Sequence, residues 1–266
     1  MDLDALVAEA SAILDVAAKP FVAGHRADSA VSKRGDDFAT KVDLAIERQV
    51  VDALVSATGI PVHGEEFGGA DLDSPWVWVL DPVDGTFNYA AGSPMAAILL
   101  GLLHDGDPVA GLTWLPFMNE RYAAVSGGPV LKNGVPQPPL AHGELTESII
   151  GVGTFNADSR GRFPGRYRLA VLEELSRASS RMRMHGATGI DLAYVADRVL
   201  GGSISFGDHV WDHAAGVALV RAAGGVVTTL AGDEWTPDSR SALAAAPGVH
   251  AQLLEMLQTV GRPDEY

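Results

Sequence analysis

The most constraining feature of the sequence is an apolar run that ends in two acids and a glycine. Residues 76–80 read WVWVL, and Asp81, Asp84, Gly85 and Thr86 follow within the next six positions. A short run rich in tryptophan and valine predicts a strand that is buried on both faces. Carboxylates at the carboxyl end of such a strand, beside a glycine that allows close backbone approach, indicate a ligand-binding edge.

The same stretch indicates the kind of ligand. If Gly85 and Thr86 open a helix, their amides point at an anion such as phosphate. Two acids beside a bound anion are electrostatically reasonable only when cations lie between them, and Mg²⁺ takes oxygen ligands and bridges to phosphate. Taken alone, Asp81 and Asp84 are better explained as turn and helix-capping residues. The complete string DPVDGT is far more specific than a pair of acids.

Composition excludes several classes of protein. The chain has no cysteine, so it has neither a disulfide framework nor thiolate chemistry. Its formal net charge of −15 repels nucleic acid and anionic membranes but attracts divalent cations. The longest apolar runs, such as MAAILLGLL at 95–103, are too short to span a bilayer. We therefore expect a cytoplasmic protein with no nucleic-acid partner and no membrane partner.

Periodicity divides the chain near residue 145. Helical spacing of apolar residues predicts helices over 3–16 and 42–54, and the turn strings HDGDP, SGGP and KNGVP predict antiparallel hairpins between 95 and 138. Beyond the boundary, strands are predicted at 148–152, 181–185, 203–206 and 226–230, and helices at 166–179, 189–200, 211–223 and 250–260. The predicted domains are an α+β half at 1–145 and a tightly packed α/β half at 146–266.

Three further segments carry acids that are unremarkable alone. GEE at 64–66 is typical of a solvated loop, and Asp212 in WDHAAG is typical of a helix N-cap. Asp43 in DFATKVD lies near a predicted helix start, where an acid interacts favourably with the helix dipole. Together with LDPVDGTFNY at 80–89 and GIDLAYVADR at 189–198, however, they resemble the inositol monophosphatase family of Mg²⁺-dependent, lithium-sensitive phosphatases. The resemblance covers essentially the whole chain, with the motifs in the family's order and spacing.

The resemblance implies a layered α/β fold like that of inositol monophosphatase and fructose-1,6-bisphosphatase, with an antiparallel sheet in the N-terminal half and a mixed α/β C-terminal half. It also implies a homodimer that hydrolyses inositol 1-phosphate with two to three Mg²⁺ ions. The implied metal ligands are Glu65, Asp81, the Val83 carbonyl, Asp84 and Asp212, with Asp81 bridging two ions. The implied catalytic residues are Thr86, Asp43 and Glu65, with Thr86 paired with Asp43 to orient the attacking water. The implied substrate contacts are Asp84, Gly85, Thr86, Gly186, Ala187, Thr188 and Ser205.

Ser205 departs from the family pattern. The family has a glutamate seven residues before the aspartate of the WD motif, and this chain has a shorter, uncharged serine. The departure leaves phosphatase chemistry intact but leaves the preferred ester open among inositol 1-phosphate, histidinol phosphate, fructose 1,6-bisphosphate and nucleotide 3′-phosphates. A different class, a non-catalytic relative that binds metal or phosphate, should have lost one of the acids or Thr86, and none is lost.

Two groups of basic residues receive a structural interpretation. His209 and His213 flank Asp212, but a site for hard cations prefers oxygen ligands, so we expect them to play structural roles. Arg160, Arg162, Arg166 and Arg168 form a basic cluster, which we expect to be a solvated loop and helix start; contact with substrate or a neighbouring subunit is the alternative.

Overall fold

The structure is a computed structural model that describes residues 1–26, 29–32 and 38–266 of the chain. Asp37, the first residue of DFATKVD, lies outside the described residues, as does part of the connector before it. The helices are α1 (Leu3–Ala23), α2 (Lys41–Thr58), α3 (Thr86–Ala91), α4 (Gly165–Ala178), α5 (Thr188–Ala196), α6 (Val210–Ala222) and α7 (Val249–Val260). The strands are β1 (Ser29–Ser32), β2 (Phe38–Thr40), β3 (Val62–Gly64), β4 (Gly68–Gly69), β5 (Trp76–Asp84), β6 (Ala97–His104), β7 (Asp107–Leu115), β8 (Glu120–Val125), β9 (Leu131–Lys132), β10 (Val135–Pro136), β11 (Ile149–Val152), β12 (Arg181–Arg183), β13 (Gly202–Ser205), β14 (Val226–Thr228) and β15 (Ala242–Ala245).

The larger sheet of the described chain has the strand order β10-β9-β8-β7-β6-β5-β3-β4. It is antiparallel except where β3 runs parallel to β5. The predicted hairpins form because their turns supply residues that accept positive φ. Asp105 and Gly106 (φ 49° and 83°) join β6 to β7, and Asn133 and Gly134 (φ 50° and 77°) join β9 to β10.

The alternation along β5 places the sheet between two helical layers. Trp78 and Leu80 belong to the core that α1 and α2 form on one face of the sheet. Val77 and Val79 belong to the core that α5 and α6 form on the other face. Since successive side chains of a strand point to opposite faces, a strand with helices on both sides must be apolar throughout, as residues 76–80 are.

The smaller sheet lies beyond α5 and α6 and has the order β12-β11-β13-β15-β14. Strands β12, β11 and β13 are parallel, whereas β15 pairs antiparallel with both β13 and β14. A third core covers its outer face with α4 and α7. The predicted layered α/β architecture, with an antiparallel N-terminal sheet and a mixed C-terminal half, is confirmed.

Several boundaries differ from the sequence prediction. Strand β5 continues to Asp84, so both acids of its motif belong to the strand, and α1 continues through Pro20 to Ala23. Strands β3 and β15 were not predicted. The division into domains 1–145 and 146–266 stays a prediction. Within the described ranges, no helix has the length and apolar character needed to cross a membrane.

Candidate active site

A cavity of about 580 Å³ opens at the carboxyl end of β5. Nearly all of the predicted site residues line it. They are Glu65, Asp81, Val83, Asp84, Gly85, Thr86, Gly186, Ala187, Thr188, Ser205 and Asp212. Asp43 is the one predicted site residue that is absent from the lining. The fold therefore brings together four motifs that are far apart in the sequence.

The end of β5 delivers Asp81 and Asp84 on a distorted piece of strand. Its pairing with β6 shifts register between these two residues, and the Val83 amide donates a hydrogen bond to Asp81 Oδ1 at 2.9 Å. Gly85 then turns the chain with φ +82°, and a Cβ at this position would lie 2.8 Å from the Met95 carbonyl oxygen. Only glycine combines this conformation with this close approach.

Asp84 caps a helix from a distant part of the chain. Its carboxylate accepts hydrogen bonds from the backbone amides of Thr188, Gly189 and Ile190 at 3.1, 2.9 and 3.3 Å, which are the first amides of α5. These bonds and the helix dipole favour the ionised form. Burial outweighs them and, with the nearby charge of Asp191, raises the pKa of Asp84 to about 7.

Glu65 is positioned by a buried acid that the sequence analysis did not identify. Glu47, on α2, accepts hydrogen bonds from the backbone amides of Glu66 at 2.8 Å and Phe67 at 2.9 Å. Gly64 lets it approach, because a Cβ there would lie 2.1 Å from Glu47 Oε1. The hint in the sequence was an acid on the apolar face of a helix, one residue after Ile46.

Asp43 lies at the start of α2 in a capping box with Thr40. Its Oδ2 accepts a bond from the Thr40 amide at 3.1 Å and one from the Thr40 hydroxyl, whereas its buried Oδ1 has no hydrogen-bond partner among the described residues. Burial, with a contribution from the charge of Glu65, raises the pKa of Asp43 to about 6. Thr86 donates to the Val83 carbonyl at 3.1 Å, and no hydrogen bond joins it to Asp43 within the described part of the chain.

The acids around Asp81 repel one another. Burial raises the pKa of Asp81 well above its ordinary value, and the nearby charges of Glu65, Asp84 and Asp212 raise it further. Such a cluster is stable as carboxylates only when cations balance it, and its all-oxygen donor set suits Mg²⁺. Among the described residues, no three acidic or histidine side chains are already arranged to hold a metal ion. The Asp84 carboxylate, for example, faces the α5 amides. The donor types fit Mg²⁺, with Asp43 Oδ1 as a further unused oxygen.

The far wall of the cavity comes from the C-terminal half. Asn88, on α3, donates to the His185 carbonyl at 2.7 Å and so holds the segment before α5 against α3. The buried Ser205 hydroxyl lies 2.9 Å from His213 Nε2 and accepts a bond from the Gly207 amide at 3.3 Å.

The two histidines beside Asp212 differ in their surroundings, since His213 is buried and His209 lines the cavity, and their structural roles stay a prediction. Burial lowers the pKa of His213 to about 4, which keeps its ring neutral. His209 stacks on Trp211 with the ring centroids 4.6 Å apart.

The expectation for the basic cluster is wrong for one of its four members. Arg160, Arg162 and Arg166 are exposed, but Arg168 is partly buried and lines the cavity. Its position in the first turn of α4 faces the aromatic core rather than the solvent. Spacing could have shown this, because Arg168 lies three residues before Val171 on the buried side of that helix.

Comparison with known proteins agrees with this geometry. The inositol monophosphatase family matches residues 3–262 of the chain. A protein of Mycobacterium tuberculosis named "Probable inositol 1-monophosphatase ImpA" is 74% identical, with 100% of both chains covered. One of Mycolicibacterium smegmatis named "Inositol-1-monophosphatase ImpA" is 72% identical over 99% of this chain and 96% of its own.

Solved structures give the same result. The inositol monophosphatase from Anabaena (Nostoc) superposes with a TM-score of 0.84 at 26% identity, covering 100% of both chains. That of Thermotoga maritima has a TM-score of 0.83 at 23% identity, over 92% of this chain and 93% of its own, and supports the fold alone. The motifs, the layered sheets and the assembled acids have one common explanation: the chain belongs to the inositol monophosphatase family.

Proposed function

We propose that this chain is a Mg²⁺-dependent phosphomonoesterase that hydrolyses inositol 1-phosphate to inositol and phosphate. The observation that carries the proposal is the acid cluster at the end of β5, beside the left-handed Gly85, in a cavity large enough for a small ester. The two relatives above 70% identity are named inositol 1-monophosphatases, which supports the same substrate.

The acids provide the site for metal. Glu65, Asp81, Asp84, Asp212 and the Val83 carbonyl would hold two Mg²⁺ ions, and a third would lie near Glu65. The Val83 carbonyl keeps one lone pair for this purpose, since Thr86 occupies the other. Mg²⁺ bound to these oxygens would neutralise the negative charge of the phosphate and would activate the attacking water.

The protein's own groups orient the water and receive the phosphate. The Thr86 hydroxyl donates its proton to the Val83 carbonyl oxygen. The lone pairs of Oγ1 therefore remain free to accept a hydrogen bond from the attacking water. Asp43 and Glu65 are the acids proposed to take the proton of that water. The amides of Gly85 and Thr86 would receive the phosphate oxygens. Water attacks phosphorus, the ester P–O bond breaks, and the leaving alkoxide takes up a proton.

The leaving group lies against the C-terminal wall. Asp84, Gly186, Ala187, Thr188 and Ser205 are the residues proposed to contact it. Asp84 is committed to three α5 amides, and Ser205 to His213 and Gly207, so each has only part of its bonding capacity left for a polyol hydroxyl. Histidinol phosphate is the second candidate, because a site without a carboxylate at position 205 holds a polyol less firmly.

Phosphate release from inositol 1-phosphate in Mg²⁺, with histidinol phosphate in parallel, tests the proposal. We expect preferential, EDTA-sensitive turnover of the inositol ester. Preference for histidinol phosphate would leave the chemistry intact and reassign the substrate. Release from neither ester, nor from fructose 1,6-bisphosphate or a nucleotide 3′-phosphate, would favour a non-catalytic binding role. Lithium sensitivity, the homodimer and the cytoplasmic location stay predictions.

A further inference from the structure

The segment before α5 carries a histidine that the proposed reaction does not use. His185 lines the cavity, and its side chain is 18% exposed. It directly precedes Gly186, which is one of the residues proposed to contact the leaving group. The side chain of His185 therefore belongs to the part of the cavity where the alcohol of the ester would lie.

His185 is fixed at its backbone and along one edge of its ring. Asn88, two positions after Thr86, donates to the His185 carbonyl at 2.7 Å. Nδ1 of the ring lies 2.5 Å from Oδ1 of Asp191, a buried acid on α5. The ring also meets the ring of Tyr194 edge to face, with the centroids 5.9 Å apart. Because rotation of the imidazole would break the contact with Asp191, one orientation is held before a ligand binds.

The other ring nitrogen of His185 is available to a ligand. Within the described residues, Nε2 makes no hydrogen bond, in contrast to Nδ1. Since Nδ1 is turned toward a buried carboxylate, the exposed edge of the ring is the one that carries Nε2, and this edge borders the cavity. A solvated nitrogen can exchange a water molecule for a polar group of a ligand at little net cost.

The contact with Asp191 indicates which group fits Nε2. At 2.5 Å, Nδ1 and Oδ1 share one proton. When this proton lies on Nδ1 of a neutral ring, Nε2 accepts a hydrogen bond, and in the other protonation states Nε2 carries a hydrogen and donates it. A hydroxyl group both donates and accepts, so it can bond Nε2 in every one of these states. The contact therefore does not require a charged imidazole.

The surroundings of Ser205 leave room for such a contact. The buried Ser205 hydroxyl is already bonded to His213 and to the Gly207 amide. A polyol gives up water from each of its hydroxyls when it binds, and a hydroxyl that is then left unpaired weakens binding. A second partner for the polyol on this wall is thus favourable, and His185 supplies one without adding an acid.

We propose that His185 is a specificity-determining residue, which binds a ring hydroxyl of the leaving polyol through Nε2, and that Asp191 is the residue that positions it. This inference rests on the proposed phosphomonoesterase function and adds a contact for its leaving group. A leaving group without hydroxyls gains nothing from His185, so the residue distinguishes polyol esters from apolar ones.

Two amide variants separate the roles of the two ring nitrogens. The amide nitrogen of His185→Asn lies close to the position of Nδ1, so this variant keeps the bond to Asp191 and loses the group that faces the cavity. The longer side chain of His185→Gln places its amide close to the position of Nε2, so this variant keeps the group that faces the cavity and loses the bond to Asp191.

Both variants are assayed on inositol 1-phosphate and on cyclohexyl phosphate, which has the same ring without the hydroxyls. His185→Asn should lower kcat/KM for inositol 1-phosphate by about fivefold or more, mainly through KM, as expected for loss of one hydrogen bond to the bound substrate. His185→Gln should recover part of this loss. With cyclohexyl phosphate, kcat/KM should change by no more than about twofold in either variant.

A role confined to pairing with Asp191 predicts the opposite order, with His185→Gln the more damaging variant. That order, or equal losses on the two esters, would overturn the inference and leave the phosphatase proposal standing. The matched control is His104→Asn, because His104 also lies beside an acid, Asp105, but does so outside the cavity. It should change the kinetics of neither ester.

The positioning role of Asp191 has its own test. Asp191→Asn still offers an oxygen to Nδ1–H and should keep kcat/KM for inositol 1-phosphate within about threefold of the wild type. Asp191→Ala frees the ring and should raise KM for inositol 1-phosphate but not for cyclohexyl phosphate. Equal effects of Asp191→Ala on the two esters would show that Asp191 does not act through His185.

Binding measured without turnover keeps the two proposals distinguishable. Calorimetry with Ca²⁺ in place of Mg²⁺ should show inositol 1-phosphate bound about fivefold more weakly by His185→Asn than by the wild type, with cyclohexyl phosphate unchanged. If the wild type hydrolyses neither ester but this difference appears, the His185 contact stands and the proposed reaction fails. If His185→Asn binds inositol 1-phosphate as tightly as the wild type, the contact does not exist.

Discussion

The two ends of the cavity are built in different ways. The acidic end, formed by Glu65, Asp81, Asp84 and Asp212, depends on one continuous strand and turn with two outlying acids. The opposite wall of the cavity, which we call the distal half, collects side chains from the start of α4 (Arg168), the segment before α5 (His185) and the loop after β13 (Phe206 and Asp208). Because the residues of the distal half come from separate segments, each can be substituted without moving the others. The acidic residues, in contrast, are placed by the backbone geometry of one strand and turn. We therefore expect the rigid end to set the reaction type and the other end to select the leaving group.

The two ends also differ in how well their charges are satisfied. At the acidic end, burial raises the pKa of Asp81 and of Asp84, and the charges of Glu65, Asp84 and Asp212 raise the pKa of Asp81 further. In the distal half, Asp191 and Asp208 have basic partners. A site that is electrostatically unfavourable without ligand is expected where function requires one. Removing Asp81 should thus abolish activity without a matching loss of stability, whereas Asp84 also caps α5 and so contributes to both.

The largest effect is expected from Asp81→Asn and Asp84→Asn. Both should lower kcat by about a thousandfold, because the bound metals contribute several kcal/mol to the reaction. Mg²⁺ should raise the melting temperature of the wild type and of neither variant. Phosphate-release kinetics and thermal unfolding with and without Mg²⁺ measure both effects.

The stability of the same two variants distinguishes the structural roles of Asp81 and Asp84. Asp81→Asn relieves repulsion, so the metal-free protein should melt at the wild-type temperature or higher. Asp84→Asn turns an amide toward the α5 amides and should cost about 1–3 kcal/mol of stability. Equal melting temperatures for the two metal-free variants would contradict the capping role of Asp84. A near wild-type kcat in either variant would contradict its role as a metal ligand.

The next effect is expected from Gly85→Ala. Its Cβ would strain a φ of +82° and press on the Met95 carbonyl oxygen, so we expect a stability loss of about 2–4 kcal/mol and a loss of most activity. Gly106→Ala is the matched control, since Gly106 has φ +83° but open space around it. It should cost only about 1 kcal/mol and leave kcat unchanged. Equal costs at the two positions would show that conformation alone, and not the close approach, requires Gly85.

A smaller effect is expected from Glu47→Gln. The amide can accept only one of the two bonds from Glu66 and Phe67, so stability should fall by about 1–2 kcal/mol. The loop that carries Glu65 should loosen, and half-maximal activity should require several-fold more Mg²⁺. The exposed Asp52, on the same helix, provides Asp52→Asn as a control for charge. If the two variants have the same Mg²⁺ requirement, Glu47 does not position Glu65.

The acidic end could be predicted from the sequence because its information is local. The apolar run, the two acids and the glycine are consecutive, and their periodicity and turn chemistry fix both the strand and the direction of its end. The hairpins of the larger sheet were predictable for the same reason, since Asp105–Gly106 and Asn133–Gly134 favour positive φ.

The rest depends on contacts between distant segments. β15 is a run of alanine and leucine with no strand signature, and it becomes a strand because β13 and β14 pair with it on both sides. The capping of α5 by Asp84 joins residues about a hundred positions apart. Glu47 and the inward position of Arg168 were missed because charged residues are usually assigned to solvent. Their spacing from Ile46 and Val171 was the signal in the sequence, and the packed helices show the contacts that each makes.

The smallest effect is expected from Ser205→Ala, which tests the distal half where the chain departs from the family pattern. The hydroxyl already bonds His213 and Gly207, so its removal should cost about 1 kcal/mol of stability. It has one lone pair left for a polyol hydroxyl, so kcat/KM for inositol 1-phosphate should fall by less than about tenfold. Steady-state kinetics and urea unfolding measure the two quantities. A larger kinetic loss would make Ser205 a principal substrate contact, and the polyol would then be selected by this serine rather than by the backbone around Gly186.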